Sequence, residues 1–154
     1  MAATAAVTGC SGVGPPNAGS TEIGAVPGVA VLVKRDVSGT DDPALDLTIC
    51  QTGCGTYRVS LRPGATTVAE PCDSADSDGT CSGSTSPDGT YVGFVGVADL
   101  GAGDVRISGR FGDREHTRQL AEVTVRAEVT HPNGPQCPPG GVQAQVRLTA
   151  AGLR

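Results

Sequence analysis

The sequence lacks tryptophan, and its 154 residues include only two phenylalanines, two tyrosines and one methionine. Large aromatic side chains therefore cannot fill a hydrophobic core, which must be packed mainly by valine, leucine, isoleucine and alanine. A chain of this length can still bury about 70% of the surface that its unfolded form exposes. We therefore expect one domain with a hydrophobic core.

Lysine is nearly absent as well. Lys34 is the only lysine beside ten arginines, and 16 acidic residues bring the net charge to −5. An acidic domain repels phosphate backbones, and no basic cluster with interleaved aromatic residues occurs, so we expect no nucleic-acid partner. The excess of Ala, Gly, Val and Arg over Lys, Ile and Asn is typical of proteins from high-GC bacteria.

Sequence motifs of catalysis are missing too. The chain has no G-x-S-x-G, no H-E-x-x-H and no glycine-rich phosphate loop, which are the patterns that place a nucleophile, a zinc ion or a nucleotide. His116 is a candidate general base because its pKa lies near neutrality. A base also needs a nucleophile and an orienting acid within reach, so His116 and His131 are interpreted as surface residues. The sequence predicts a protein that is not an enzyme and needs no cofactor.

Glycine and proline are abundant, at 23 and 11 residues, and separate short segments rich in valine and threonine. In residues 120–130 and 142–149, apolar and polar side chains alternate at every second position, which a helix cannot place on one face. Similar patterns occupy residues 29–37, 45–50, 56–61, 90–100 and 104–111, with a weaker one at 65–70. About eight short strands predict an all-β fold, a two-sheet antiparallel sandwich of immunoglobulin-like type, with a small barrel as the alternative.

The remaining segments define the organisation of the chain. Residues 10–28 are rich in Gly, Pro, Ser and Ala, which predicts a flexible tether ahead of a β-sandwich domain at 29–154. Residues 71–89 are predicted to form a loop, and residues 130–141 a long connection before the last strand. Only residues 113–122 could form a turn or two of helix.

The six cysteines predict a disulfide framework in an oxidising compartment. A structural zinc site would need two close pairs of cysteine or histidine ligands, and only Cys50 and Cys54 form such a pair. A disulfide framework is therefore favoured over a zinc site. Short loops favour the pairs Cys72–Cys81 and Cys50–Cys54, although a bond from Cys50 or Cys54 to Cys137 competes with the second pair. Cys137 otherwise pairs with Cys10 or stays a free thiol.

One acidic stretch is a weak candidate for a calcium site. Its carboxylates are those of Asp73, Asp76, Asp78 and the nearby Asp88, and Gly79 allows a sharp turn. Calcium prefers such oxygen ligands, but the stretch does not follow the helix–loop–helix calcium pattern. The alternative is a solvated hairpin tip clipped by Cys72 and Cys81.

Outward-facing arginines follow several of the predicted strands. They can form a stripe that binds an anionic glycan or a partner protein, or they can serve solubility alone. Strand order decides whether they are neighbours, and the sequence does not give that order. The residues are Arg58, Arg62, Arg106, Arg110, Arg126 and Arg147.

The opening of the chain carries one further motif. Val7, Thr8, Gly9 and Cys10 resemble the bacterial lipobox, in which an aliphatic residue, a small residue and Gly or Ala precede a cysteine. The resemblance implies cleavage after Gly9, a diacylglycerol thioether on Cys10, and residues 1–9 as the remnant of a signal peptide. With the tether and the disulfide-bearing β domain, this is the layout of a surface lipoprotein of the high-GC bacterial type. It implies a membrane partner through the lipid on Cys10.

Two functions follow from these observations. The first is a non-enzymatic binding or accessory module outside the cytoplasm, anchored by lipid or secreted, whose ligand is an unknown protein or glycan. The second is a small secreted enzyme inhibitor or enzyme that uses the 71–89 or 130–141 loop. A cleft that gathers His116, a serine and an acid would favour the enzyme.

Overall fold

The computed structural model describes residues 24–34, 37, 43–69, 83–113, 116–133 and 139–154. Within these ranges the regular elements are β-strands, so the prediction of an all-β protein is confirmed. The strands are β1 (Gly28–Lys34), β2 (Ala44–Cys50), β3 (Cys54–Val59), β4 (Arg62–Ala69), β5 (Gly83–Gly96), β6 (Gly103–Gly112), β7 (Thr117–Val129), β8 (Val142–Thr149) and β9 (Gly152–Leu153).

The strands form one curled, mixed sheet rather than a purely antiparallel one. Their order is β3-β2-β6-β7-β8-β1-β5-β4, and β9 pairs with β8. β1 and β8 run parallel, whereas the other pairs are antiparallel. Parallel strands need a long crossover connection. Most of the domain lies between β1 and β8 in the chain, so this requirement is met.

The two edge strands show how strongly the sheet curls. β3 and β4 lie at opposite ends of the strand order, yet only Ser60 and Leu61 separate them in the chain. A Cβ atom added to Gly93 of β5 would lie 2.5 Å from Cγ1 of Val59 on β3. The edge strand β3 therefore packs closely against β5, and only glycine fits at that position.

The hydrophobic core lies inside the curl. Because side chains alternate between the faces of a strand, every second residue of β1, β2, β6 and β8 points inward. The most completely buried large side chains are Val29, Val33, Leu45, Leu47, Val105, Ile107, Val146 and Leu148. As the composition requires, aliphatic residues dominate, and Tyr91 and Phe111 add the buried aromatic rings.

Two local expectations are wrong. Residues 83–89, expected in the 71–89 loop, belong to β5, where residues 83–87 pair with Ala69 to Ala65 of β4. These residues show no alternation of apolar and polar side chains. They form a strand because their backbone pairs with β4, and a local sequence pattern does not reveal such pairing. Residues 113–122 are not helical at their described positions, because β7 begins at Thr117. Residues 70–82 lie outside the described ranges.

Replacing one buried valine and one exposed valine tests the core. Val33→Ala removes methyl groups from a side chain that is 0% exposed, whereas Val26→Ala changes one that is 61% exposed. We expect Val33→Ala to lower the free energy of unfolding by about 1.5–3 kcal/mol and Val26→Ala by less than about 0.5 kcal/mol. Urea denaturation measures both, and equal losses would contradict this core.

Candidate functional site

Strand β1 is apolar on both of its faces, which is unusual for a strand with one side toward solvent. Val29, Val31 and Val33 face the core, and the alternate residues Ala30 and Leu32 face outward. Their outward neighbours on β5 are apolar as well. The strand register places Leu32 opposite Val92 and Ala30 opposite Phe94. We call these outward residues the Phe94 face: Ala30, Leu32, Val92 and Phe94.

Phe94 is held in place by a glycine. Its side chain is 42% exposed, and a Cβ atom added to Gly28 would lie 2.6 Å from Cζ of Phe94. The ring therefore lies across Gly28 on the neighbouring strand, where any larger residue would displace it. An aromatic ring that is supported on one side and open on the other loses little conformational freedom when a partner covers it.

Basic side chains flank this apolar surface. Across the sheet, Arg147 on β8 lies opposite Leu32, and Arg62 on β4 lies opposite Val92. The resulting row reads Arg147, Leu32, Val92, Arg62, and Lys34 follows Leu32 on the outward side of β1. Within the described part of the chain, none of these three cations forms an ion pair. A chain with a net charge of −5 thus carries a local cationic rim around the exposed Phe94 and the half-buried apolar residues beside it.

The other arginines of the predicted stripe lie on a different surface, the outer face of β3, β2, β6 and β7. There Arg58 forms a two-pronged ion pair with Asp46, whose hydrogen bond and charge raise the pKa of the Arg58 guanidinium. The stripe therefore divides into two groups, because strand order separates residues that the sequence pattern treats alike. Further pairs on this surface are Arg106–Glu122 at 3.5 Å and Arg126–Asp104 at 3.6 Å.

Arg110 completes this second surface. It lies opposite Asp46 in the sheet register, but both oxygens of that carboxylate bond to Arg58. This surface thus pairs three of its four stripe arginines with its own acidic residues. It offers less free charge to a partner than the rim of the Phe94 face does.

A cleft of about 520 Å³ borders the β2–β3–β6 surface, and Asp46, Ser60, Arg110 and Asp113 line it. His116 is 87% exposed and is not among the lining residues, and its Nδ1 lies 3.9 Å from Oδ1 of Asp113. The same carboxylate oxygen accepts a hydrogen bond from the His116 backbone N–H at 2.7 Å. Asp113 therefore shapes the turn before β7, and its distance from the His116 ring exceeds hydrogen-bonding range.

His131, the other histidine, lies exposed just after β7. It is not among the residues that line the cleft. In the described part of the structure, neither imidazole ring forms a hydrogen bond with a serine, threonine or cysteine side chain, and those residues do not gather His116, a serine and an acid in one cleft.

Cys50 and Cys54 are joined at disulfide distance, with Cα atoms 4.1 Å apart, and they close the β2–β3 hairpin. The turn between them is attached to the β5–β6 connection. Gln51 Nε2 donates a hydrogen bond to the carbonyl of Gly101 at 2.8 Å, and the Gly101 N–H donates to Gln51 Oε1 at 2.9 Å. Disulfide and side-chain amide together fix this end of the sheet. Cys10, Cys72, Cys81 and Cys137 lie outside the described residues.

Of the weak calcium candidates, only Asp88 is described; Asp73, Asp76 and Asp78 lie outside the described ranges. Asp88 Oδ1 accepts hydrogen bonds from the backbone N–H of Thr90 at 2.9 Å and from its hydroxyl at 2.6 Å. In the described part of the chain, no group of three or more His, Cys, Asp or Glu side chains could hold a metal ion. Nor do those residues contain a helix long and apolar enough to cross a membrane.

Comparisons with known proteins give no relative. No protein family, curated protein or solved structure matches this chain.

Sequence reasoning did not identify the Phe94 face, although a signal for it exists: residues 29–33 are an uninterrupted apolar run. Such a run is typical of a strand that is apolar on both faces.

The hydrogen bonds of Thr90 lower the pKa of the Asp88 carboxyl, the hydroxyl contributing most. We expect Thr90→Val to raise this pKa toward the ordinary value for aspartate, because the hydroxyl donor is lost and the backbone donor stays. NMR titration of the carboxyl measures it. Since the native pKa is lowered, the contribution to stability is present above the unfolded-state pKa and disappears as the pH falls through the folded-state pKa. An unchanged pKa would show that the hydroxyl does not bind the carboxylate.

Proposed function

We propose that this protein is a non-enzymatic binding module outside the cytoplasm and that it docks a protein partner through the Phe94 face. The observation that carries the proposal is the row Arg147, Leu32, Val92, Arg62, in which two apolar residues lie between arginines that form no ion pair with any described residue. Interface centres are enriched in aromatic residues and arginine. An exposed aromatic ring beside such a row has this composition.

The chemistry of the face indicates the kind of partner. The surface of a sheet is open rather than concave, whereas small molecules prefer enclosed apolar pockets. An extended or sheet-like protein segment with an apolar centre can cover Leu32, Val92 and Phe94. Acidic residues at its margins can then pair with Arg62 and Arg147. Opposite charges at the rim of an interface accelerate association and fix its orientation.

We further propose that the curled sheet is a two-layer sandwich of immunoglobulin-like type. β7 changes partner along its length, pairing with β6 over residues 117–127 and with β8 through Glu128 and Val129. β3 and β4 are joined by two residues although they lie at opposite ends of the strand order. Both features support two layers connected by strands that pass from one to the other.

The anchor completes the proposal. We infer from the lipobox-like Val7–Cys10 segment that Cys10 carries lipid and that the preceding residues are removed as a signal peptide. Two or three acyl chains hold a protein firmly at a membrane, whereas one alone anchors it marginally. Residues 24–27 lie against the domain, where the Ala25 carbonyl accepts a hydrogen bond from Gly141 N–H at 2.7 Å. The proposed tether therefore ends before Ala25.

The docking proposal is tested with a synthetic peptide in which glutamate and valine alternate, flanking one central phenylalanine. We expect it to shift the NMR signals of the Phe94 face in the full chain. We expect Phe94→Ala and Arg147→Glu each to raise the dissociation constant at least about tenfold, the size expected for a residue at an interface centre.

Arg110→Glu is the matched control, because it makes the same charge change on the surface formed by β3, β2, β6 and β7 and should leave peptide binding unchanged. A second probe, a sulfated oligosaccharide, tests the glycan alternative. Two outcomes would contradict the proposal. In the first, the peptide shifts only NMR signals of the Arg58–Arg110 surface. In the second, the oligosaccharide binds the Arg58–Arg110 surface and the peptide does not bind the Phe94 face.

The anchor is tested by mass spectrometry of the protein purified from its own host. We expect the mass of a diacylglycerol thioether on Cys10, and we expect Cys10→Ser to move the protein from the membrane fraction to the aqueous phase. Cys137→Ser serves as the control and should leave the membrane association intact. An unmodified Cys10 in a disulfide bond would remove the membrane anchor.

A further inference from the structure

The outer parts of β4 and β5 form a two-stranded ribbon that contributes little to the core. Residues 65–69 pair with residues 87–83, and every one of these residues is exposed. We call this segment the β4–β5 ribbon. Val68, its only large apolar side chain, is 47% exposed. Two-stranded ribbons are marginally stable in water by themselves, so additional pairing would stabilise this one.

β4 is the last strand in the order of the sheet, and among the described strands it pairs with β5 alone. Its outer edge therefore presents backbone N–H and C=O groups that no other described strand pairs with. Natural proteins usually protect such an edge with lysine, proline or an inward-pointing charge. The segment Ala65–Ala69 contains no charge and no proline, and the register shift between Pro63 and Ala65 separates it from the base of the strand. This edge is open to another strand.

The sequence of that edge is close to symmetric about its centre. In an antiparallel pair of two identical segments centred on Thr67, Ala65 lies opposite Ala69, Thr66 opposite Val68, and Thr67 opposite itself. Each pair joins small or β-branched side chains, which are favourable neighbours across strands. On one face, Thr85 pairs with Thr67 within each chain, so the paired ribbons would carry a continuous row of four threonines.

Charge within the ribbon does not oppose pairing between identical chains. Each chain has a net charge of −5, so two copies repel each other over most of their surfaces. The β4–β5 ribbon carries no charged residue at positions 65–69 or 83–87, so the paired segments themselves add no repulsion between like charges. A two-fold symmetric contact uses the same patch on both subunits and closes without forming a fibre.

We propose that the chain forms a dimer through antiparallel pairing of the two β4 edges, centred on Thr67, so that two ribbons become one four-stranded ribbon. This contact is separate from the Phe94 face and does not depend on the proposed function. Because it uses few residues, it is weak in free solution. Short tethers to a common surface produce effective concentrations of about 1 mM, at which weak contacts form.

The test is the mass of the full chain by sedimentation equilibrium at concentrations up to about 1 mM. We expect the mass to rise from monomer toward dimer. Thr66→Lys with Val68→Lys places like charges opposite each other twice in the proposed register, and should raise the dimer dissociation constant at least about tenfold. Thr66→Lys with Val68→Glu places opposite charges there instead, and should restore dimerisation.

Ser84→Lys with Ser86→Lys is the charge-matched control, because it adds the same charges to β5, one strand away from the proposed contact. It should leave most of the dimer intact. All four positions are exposed, and unchanged thermal unfolding verifies that each variant is folded. A monomer at every concentration, loss of the dimer only in the β5 control, or no recovery with the Lys/Glu pair would each overturn the proposal.

Discussion

The register that holds β1 between β5 and β8 determines much of this structure. Because side chains alternate along a strand, a shift by one residue would exchange every inward and outward side chain. In the observed register, Val29, Val31 and Val33 enter the core, where they meet Val95 on one side and Val146 on the other. The outward residues are then necessarily Ala30 and Leu32, so the core and the exposed apolar surface are set by one pairing.

The same pairing explains how charge is distributed over the two outer surfaces. β8 brings Arg147 beside Leu32, and β5 brings Arg62 of β4 beside Val92. No acidic residue occupies the neighbouring outward positions of β1. On the other surface, Asp46 on β2 lies between Arg58 and Arg110. Arginines that look equivalent in sequence thus differ in environment, because ion pairs with acidic neighbours occur in only one of the two groups among the described residues.

The sequence predicts those strands in which a local alternation of polar and apolar residues determines which side chains are buried. Along most of β2, β6 and β8, polar and apolar residues alternate, and the buried positions are the apolar ones together with Gly109. The prediction failed at residues 83–89, which are polar and become a strand only because β4 lies alongside. It also did not anticipate the parallel pairing of β1 with β8. Both depend on contacts between distant parts of the chain, which a local pattern does not encode.

The candidate site shows the same division. The uninterrupted apolar run at residues 29–33 already contains the outward Leu32, but only the pairing with β5 adds Val92 and Phe94 to it. Likewise, six arginines are visible as outward residues, and their separation onto two surfaces follows from strand order alone. Predicting such a site therefore requires the topology of the sheet as well as the residue pattern.

The free energies of unfolding of Val31→Thr and Leu32→Thr test this account most directly, because these neighbours lie on opposite faces of β1. Val31→Thr puts a hydroxyl into the core with little change in shape, which costs about 1–3 kcal/mol when the hydroxyl finds no partner. Leu32→Thr puts it on the solvent face, where threonine is well suited to a strand. The account predicts the larger loss for Val31→Thr; an equal or larger loss for Leu32→Thr would contradict the register of β1.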